Sequence, residues 1–265
     1  MKIRGTTKIM GVIGDPIAQA KTPEAILPHF DRLGTDMVCI PLHVAANSLE
    51  KAWRGFEVTR NLVGLGITLP YKQAAAGLCD TLDPVAERVG AVNVVRRERD
   101  GSFRGYQFDG RGFCSGLLQA GHDLEGRDCL MIGAGGAAMA VACALMEHGV
   151  NSLTIANRTP AKAAEVAELA NRVTGRRAAK AGPATPAAGQ IVINATSLGM
   201  NADDPLPLDL GTIDDSMLVA ELVAEPERTR LMIAARDRGA AIHSGMHMIR
   251  AQVGLIAEHL AEIHG

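Results

Sequence analysis

The segment Gly133-Ala134-Gly135-Gly136-Ala137-Ala138 has residue types and spacing that can do chemistry on their own. It follows the apolar run Leu130-Met131-Ile132 and opens into a helix-like stretch ending near His148. A second apolar run, Leu153-Thr154-Ile155-Ala156, stops at Asn157-Arg158-Thr159. Strand, glycine turn, helix and second strand make one βαβ unit of the length that binds a dinucleotide. Gly133 permits the tight turn, Gly135 lets the backbone approach a pyrophosphate, and Ala138 keeps the helix close to the sheet. The helix start then offers unpaired N–H groups and a partial positive charge to the phosphates. A glycine turn alone is a weak sign; here its full structural context accompanies it.

The end of the second strand bears on which dinucleotide. An NAD site places Asp or Glu there to accept bonds from the ribose 2′-OH. This chain has Asn157, Arg158 and Thr159, with Lys162 close behind. No carboxylate repels a 2′-phosphate, and Arg158 grips one through its planar fork of donors. Thr159 and Pro160 also read as the cap and first position of the next helix, and the two readings coexist because a capped helix start is itself an anion site. NADP is the expected cofactor, with NAD the less favoured alternative.

The elements that must position these residues follow from hydrophobic patterning. Lys8–Ile13, Met37–Ile40 and Leu62–Leu69 read as strands, and Thr22-Pro23 as a capped helix start, with Pro28 expected to kink or shorten that helix. Ala45–Phe56 reads as a helix with Trp53 and Phe56 on one face. Tyr71–Leu78 and a segment capped by Asp83-Pro84 read as two more. Val94–Arg97 and Phe103–Tyr106 are short strands around the turn Asp100-Gly101. Asp109-Gly110 opens a helix to about Ala120. Ile191–Asn194 and Met217–Glu221 are strands, and a helix starts at about Thr229. Gly245–His264 is helical, with Met248, Ile249, Val253, Ile256 and Leu260 at helical spacing, while Gly175–Gly189 reads as a loop with a weak strand. Strands alternating with helices predict α/β class and mostly parallel sheets.

The chain of 265 residues is long enough for one large or two modest domains. Its net charge of −2, without a basic run, argues against nucleic acid or an anionic membrane as partner. No apolar stretch reaches transmembrane length, and Met1-Lys2-Ile3-Arg4 leads into structure rather than a signal peptide. Cys39, Cys79, Cys114, Cys129 and Cys143 lie scattered in apolar contexts, as small core residues of a reducing compartment do, so the expected location is cytoplasmic. His243 and His247 stand four apart, but no carboxylate or cysteine completes a ligand set, and no metal is expected. A small-molecule substrate and a monomer or homodimer complete the reading.

A hydride-transfer site needs a group that takes or gives the proton of the substrate hydroxyl. Here a resemblance becomes specific. The segments Gly14–Pro23 (G-x-P-I, ending in T-P), Thr68–Lys72 (T-x-P-x-K), Gly90–Asn93 (G-A-V-N), Asp109–Gly112 (D-G-x-G), Gly133–Ala137, Asn157–Thr159 and Gly245–Gln252 (G-x-x-M, ending in Q) follow one another in this order. In that order they resemble the shikimate dehydrogenase family over nearly the whole chain. The resemblance implies an N-terminal α/β substrate domain and a Rossmann-type NADP-binding domain around a cleft. Their expected extents are residues 1–108 with the C-terminal helix 243–265 packing back, and residues 109–242. It implies that Lys72 and Asp109 form the catalytic pair, that Thr22, Thr68, Asn93 and Gln252 bind substrate, and that Thr196 and Met248 join the cofactor residues. The activity implied is reversible hydride transfer between shikimate and its 3-dehydro ketone, a step of aromatic amino acid biosynthesis.

Several positions depart from the family pattern. Ala20 and Thr22 stand where two serines are usual, Gly66 where asparagine is, Phe108 within the N-T-D-G stretch, Ala224 for a tyrosine and Glu221 for an aspartate. Ala20, Gly66 and Ala224 are smaller and lack a hydrogen-bonding group, which predicts a wider, less polar substrate pocket. Quinate, or an amino or bulkier analogue, is the alternative substrate. A non-catalytic NADPH sensor is the reading from another class, and the presence of both Lys72 and Asp109 speaks against it.

Overall fold

Short, continuously apolar runs become strands covered on both faces, and two separate sheets are built from them in the computed structural model, which describes residues 2–265. Met1, the start of the leading segment, lies outside the described residues. The chain divides into two units. One runs to Phe108 and takes in Gln252–Gly265; the other is Asp109–Ala251.

The first unit contains β1 (Lys8–Gly14), α1 (Thr22–Arg32), β2 (Met37–His43), α2 (Leu49–Val58), β3 (Leu62–Ile67), α3 (Lys72–Ala76), β4 (Thr81–Leu82), α4 (Pro84–Val89), β5 (Val94–Arg97) and β6 (Phe103–Tyr106). Its sheet order is β2-β1-β3-β5-β6-β4. β1 runs parallel to β2 and β3, whereas β5 is antiparallel to both β3 and β6. This sheet is mostly parallel, as expected, with β5 alone reversed, because the tight turn at Gly101 (φ +92°) folds β6 straight back on β5. One face buries Ile13, Leu65, Ile67, Trp53, Tyr71 and Phe103, with Trp53 edge-on to Phe103 at 5.6 Å.

The second unit contains α5 (Asp109–Gln119), β7 (Asp128–Ile132), α6 (Gly136–Glu147), β8 (Ser152–Ala156), α7 (Pro160–Thr174), β9 (Ala179–Ala181), β10 (Ile191–Asn194), β11 (Leu218–Glu221), α8 (Arg230–Arg236) and β12 (Ala241–His243). All its strands are parallel, in the order β12-β11-β10-β7-β8-β9. That is the doubly wound order of a dinucleotide-binding sheet. Ala138, Ala140–Leu145 and Met146 are all buried along α6, a helix with almost no polar face. α5 lies so close to it that a Cβ on Gly110 would stand 2.3 Å from the Ala140 carbonyl oxygen.

α9 (Gly245–His264) passes from one unit to the other between Ala251 and Gln252, not at 243. Its first turns are pressed onto the second unit: a Cβ on Gly245 would meet the Val223 carbonyl oxygen at 2.5 Å, and one on Gly116 the His247 backbone at 3.0 Å. The later turns lie on the first sheet, where Leu260 fills the place a Gly64 side chain would take. Arg96, buried on β5, fastens the end of this helix by donating to the His259 carbonyl at 2.9 Å and to Glu262 at 3.0 Å.

Two local expectations are corrected. α1 continues through Pro28, since buried Ile26 and Phe30 hold the helix on either side and the bond lost is to exposed Glu24. Its N-cap is Lys21, with no side-chain cap bond, so the Thr22 hydroxyl is not spent on capping. No described helix is long and apolar enough to cross a membrane. Leu260→Ala should cost about 2–5 kcal/mol in urea denaturation, because a fully buried leucine packed on a glycine strand leaves a void that neither backbone can close.

Candidate functional site

In the second sheet the strand order reverses between β7 and β10, the switch point at which open α/β sheets bind ligands. The loops leaving these two strands meet backbone to backbone. Gly133 has φ +123°, and a Cβ there would stand 2.6 Å from the Ala195 carbonyl oxygen. Glycine is required on both counts. Gly135, the N-cap of α6, has nothing within 4 Å of its side-chain position, and no side chain caps the helix. The first N–H groups of α6, from Gly136 and Ala137 onward, are thus left beside open space beyond Ala134, as a pyrophosphate requires.

Asn157 folds back to donate to the Thr159 carbonyl at 3.0 Å. Thr159 occupies the N-cap of α7 but makes no side-chain cap bond, so only the position, and not the expected hydrogen bond, is found. Arg158 and Lys162 are exposed, and neither is ion-paired among the described residues. These residues fit a cofactor carrying a 2′-phosphate. Thr196 is held by Asn194, whose Oδ1 accepts from the Thr196 amide at 3.1 Å and hydroxyl at 2.7 Å. Met248 is buried in the first turns of α9.

Sequence reasoning missed what lies beneath that loop. Asn194 donates through Nδ2 to the Leu198 carbonyl (2.9 Å) and to Glu221 (2.8 Å), and the Thr229 hydroxyl donates to Glu221 at 2.6 Å. Glu221 is 0% exposed. Burial pushes its carboxyl up to about 7, against the opposing pull of its bonds from Thr229, Asn194 and the Val223 backbone. A polar residue closing each of two otherwise apolar strands was the available signal.

In the first unit, the ends of β3 and β5 bring four predicted residues together. The Ile67 amide donates to the Asn93 carbonyl at 2.7 Å, and the Val92 amide to the Lys72 carbonyl at 2.9 Å, which fixes Thr68 and Lys72 beside Asn93. The Asn93 side chain is buried and fully directional: Oδ1 accepts from the Phe108 amide at 2.8 Å, and Nδ2 donates to Gln252 Oε1 at 3.1 Å. Thr22, at the start of α1, is joined to them by no hydrogen bond among the described residues. Lys72 is half-buried at the first residue of α3. Asp109, 2% exposed, opens α5 in the second unit, one residue beyond Phe108. Gly66 does not widen a pocket as expected: its side-chain position is filled by Val12 at 3.2 Å and Met10 at 3.3 Å, so the missing group is replaced by apolar packing.

The family description "Shikimate dehydrogenase substrate binding domain" matches residues 12–95, and "Shikimate / quinate 5-dehydrogenase" matches residues 117–199. The chain is 39% identical over 255 residues to a shikimate dehydrogenase (NADP(+)) of Rubrobacter xylanophilus, covering 95% of this chain and 89% of that one. The crystal structure of shikimate 5-dehydrogenase from Thermus thermophilus with NADP(H) and shikimate is similar at a TM-score of 0.82 and 30% identity, covering 96% and 93%. A ligand-free 5-ketofructose reductase of a Gluconobacter strain is similar at 0.79 and 27% identity, covering 97% of each chain.

No group of three or more His, Cys, Asp or Glu able to hold a metal ion occurs among the described residues. Burial pushes the thiols of Cys39, Cys79 and Cys129 up to about 12, which keeps them as packing residues. His243, 1% exposed, is stacked on His247 at 4.3 Å between ring centroids and stands edge-on to His122 at 5.7 Å. Burial, aided by repulsion from His247 and His122, pushes its imidazole down from 6.5 to about 4. The unfolded chain therefore binds the extra proton first, and stability present above pH 6.5 is lost as pH falls through 4. His243→Gln should gain on the wild type by several degrees in melting temperature as pH is lowered across that interval. A constant difference between the two proteins would show that His243 does not titrate in this way.

Proposed function

The chain belongs to the shikimate dehydrogenase family, and we propose that it is an NADP-dependent oxidoreductase interconverting shikimate, or a close cyclic hydroxy acid, with its 3-dehydro ketone. The observation that carries this reading is the glycine turn pressed on Ala195 at the switch point, beside an exposed Arg158 that has no carboxylate partner among the described residues. In this reading the first unit binds substrate, the second binds cofactor, and the protein works as a cytoplasmic monomer or homodimer.

Bound NADP supplies the hydride acceptor for the carbinol carbon. The chain's own residues handle the proton and the ring. Lys72 takes up the proton of the reacting hydroxyl and returns it in the reverse direction, and Asp109 orients that hydroxyl. Asn93 and Gln252 are locked to each other, and the Asn93 oxygen is taken by the Phe108 amide. In this reading the pair lies at the substrate's hydroxyl groups, with the orientation of both amides set by these bonds. Thr68 and Thr22 add hydroxyls. Gly133 to Ala137 would hold the pyrophosphate, Asn157, Arg158, Thr159 and Lys162 the 2′-phosphate, and Thr196 and Met248 would complete the cofactor site.

A second reading keeps this chemistry and changes the ketone. Two observations favour it: Ala20 stands where the family offers a serine, and a 5-ketofructose reductase is similar along 97% of both chains. NADP⁺ and NAD⁺ assayed with shikimate and quinate, and NADPH with 5-ketofructose, decide between the two readings by which substrate has the highest kcat/KM.

Lys72→Ala should lower kcat by about 10² or more and leave NADP⁺ affinity unchanged, as loss of a general acid–base group does. Arg158→Ala should weaken NADP⁺ about ten-fold or more and NAD⁺ little, since the charged bonds it removes go to the 2′-phosphate alone. Equal loss for both cofactors in titration would assign Arg158 a different contact.

A further inference from the structure

We propose that Glu221 is a positioning residue for the cofactor, acting through Asn194 to hold the loop Thr196–Leu198 as the second wall of the dinucleotide site. The inference rests on the cofactor reading above. The path is continuous. Glu221 ends β11 and Asn194 ends β10, paired in register. The Glu221 carboxylate takes the Asn194 side-chain N–H, which turns Asn194 Oδ1 toward the amide and hydroxyl of Thr196. Thr196 Oγ1 in turn accepts from the Leu198 amide at 3.0 Å, and the other Nδ2 hydrogen of Asn194 reaches the Leu198 carbonyl. Between Asn194 and Thr196 lies Ala195, whose carbonyl oxygen presses on Gly133 of the glycine turn. One side chain thus sets the height of a loop that faces the pyrophosphate turn across the switch point.

The donor pattern explains why a carboxylate stands there. Asn194, Thr229 and the Val223 amide all donate to it. Three donors around one group call for an acceptor-only oxygen pair, which an ionised carboxylate supplies and a protonated acid or an amide does not. The charged groups on the neighbouring elements turn elsewhere. Arg230 of α8 donates to the carbonyls of Ala202 and Asp204, and His243 of β12 contacts His122 and His247. The cost of burying the charge, visible in the upward push on the Glu221 carboxyl, is retained at the one place where it orders the loop. Thr229 adds a second tie, since the hydroxyl that donates to Glu221 also accepts from the Met232 amide and caps α8.

The test uses the full chain and NADPH as probe. Glu221→Gln should raise the NADPH Kd in a fluorescence titration by about ten-fold, leave the apo melting temperature equal or higher at pH 8, and leave the KM for the organic substrate unchanged. Amide exchange at Thr196 and Leu198 should quicken in the variant without any cofactor, and Glu221→Asp should restore part of both losses. In the wild type the same two amides should exchange faster at pH 6 than expected from pH 8, and Glu221→Gln should lack that excess, an arm that serves even if the variant folds poorly. Unchanged NADPH affinity with unchanged amide protection overturns the proposal. A lower melting temperature with no specific change at Thr196 and Leu198 also overturns it, as plain structural support. Failure of the wild type to bind NADPH, with loop protection still dependent on Glu221, refutes the cofactor reading and leaves the positioning intact.

Discussion

The approach of two backbones at Gly133 and Ala195 is the constraint on which the second unit depends. A carbonyl oxygen lies where any side chain on Gly133 would begin, so the loop after β7 and the loop after β10 hold each other's position. The parallel strands bring these loops to the same edge, and their order makes that edge a switch point. α6 then begins beside it with uncapped N–H groups, and its buried, small-residue body lets α5 and the sheet close in from either side. Sheet order brings the two loops together, and one permitted close approach then fixes how they meet at the start of α6.

The first unit is organised differently. Its polar centre is a chain of directional bonds, from the Phe108 amide to Asn93 and on to Gln252, which joins the end of β6, the start of β5 and α9. Arg96 repeats the device nearer the end of α9, with bonds to Glu98, Tyr106, His259 and Glu262. Leu260 on Gly64 supplies the apolar seat between them. The C-terminal helix is therefore placed by packing and by buried polar bonds together, and Gln252 cannot turn without releasing Asn93.

Much of this is legible locally, and the exceptions share a cause. Apolar runs and turn residues delimit Val94–Arg97, Phe103–Tyr106, Ile191–Asn194 and Gly245–His264, and the strands and helix found have the same ends. β4 and β12, of two and three residues, are too short to show a period, and patterning reveals neither. The Asp100-Gly101 turn is readable, but its consequence, an antiparallel strand within the first sheet, is not, because pairing direction is a property of two segments. Asn194 meets Glu221 across 27 positions and Asn93 meets Gln252 across 159, distances at which no pattern in one segment reports on the other. The glycine turn is readable since glycine, helix start and strand are neighbours in the chain. The partner that makes Gly133 obligatory, Ala195, is not.

Glu221 and His243 sit on adjacent strands of one sheet, and their perturbed ionisations point in opposite directions. Raising the pH from 4.5 toward 7 takes stability away through the carboxyl, whose proton the fold holds more tightly than the unfolded chain does. Raising it from 4 toward 6.5 gives stability back through the imidazole, whose proton the fold holds less tightly. The two intervals overlap almost completely. Each group alone would tilt the unit's tolerance of acid; side by side they pull in opposite directions over the pH range that the two intervals share.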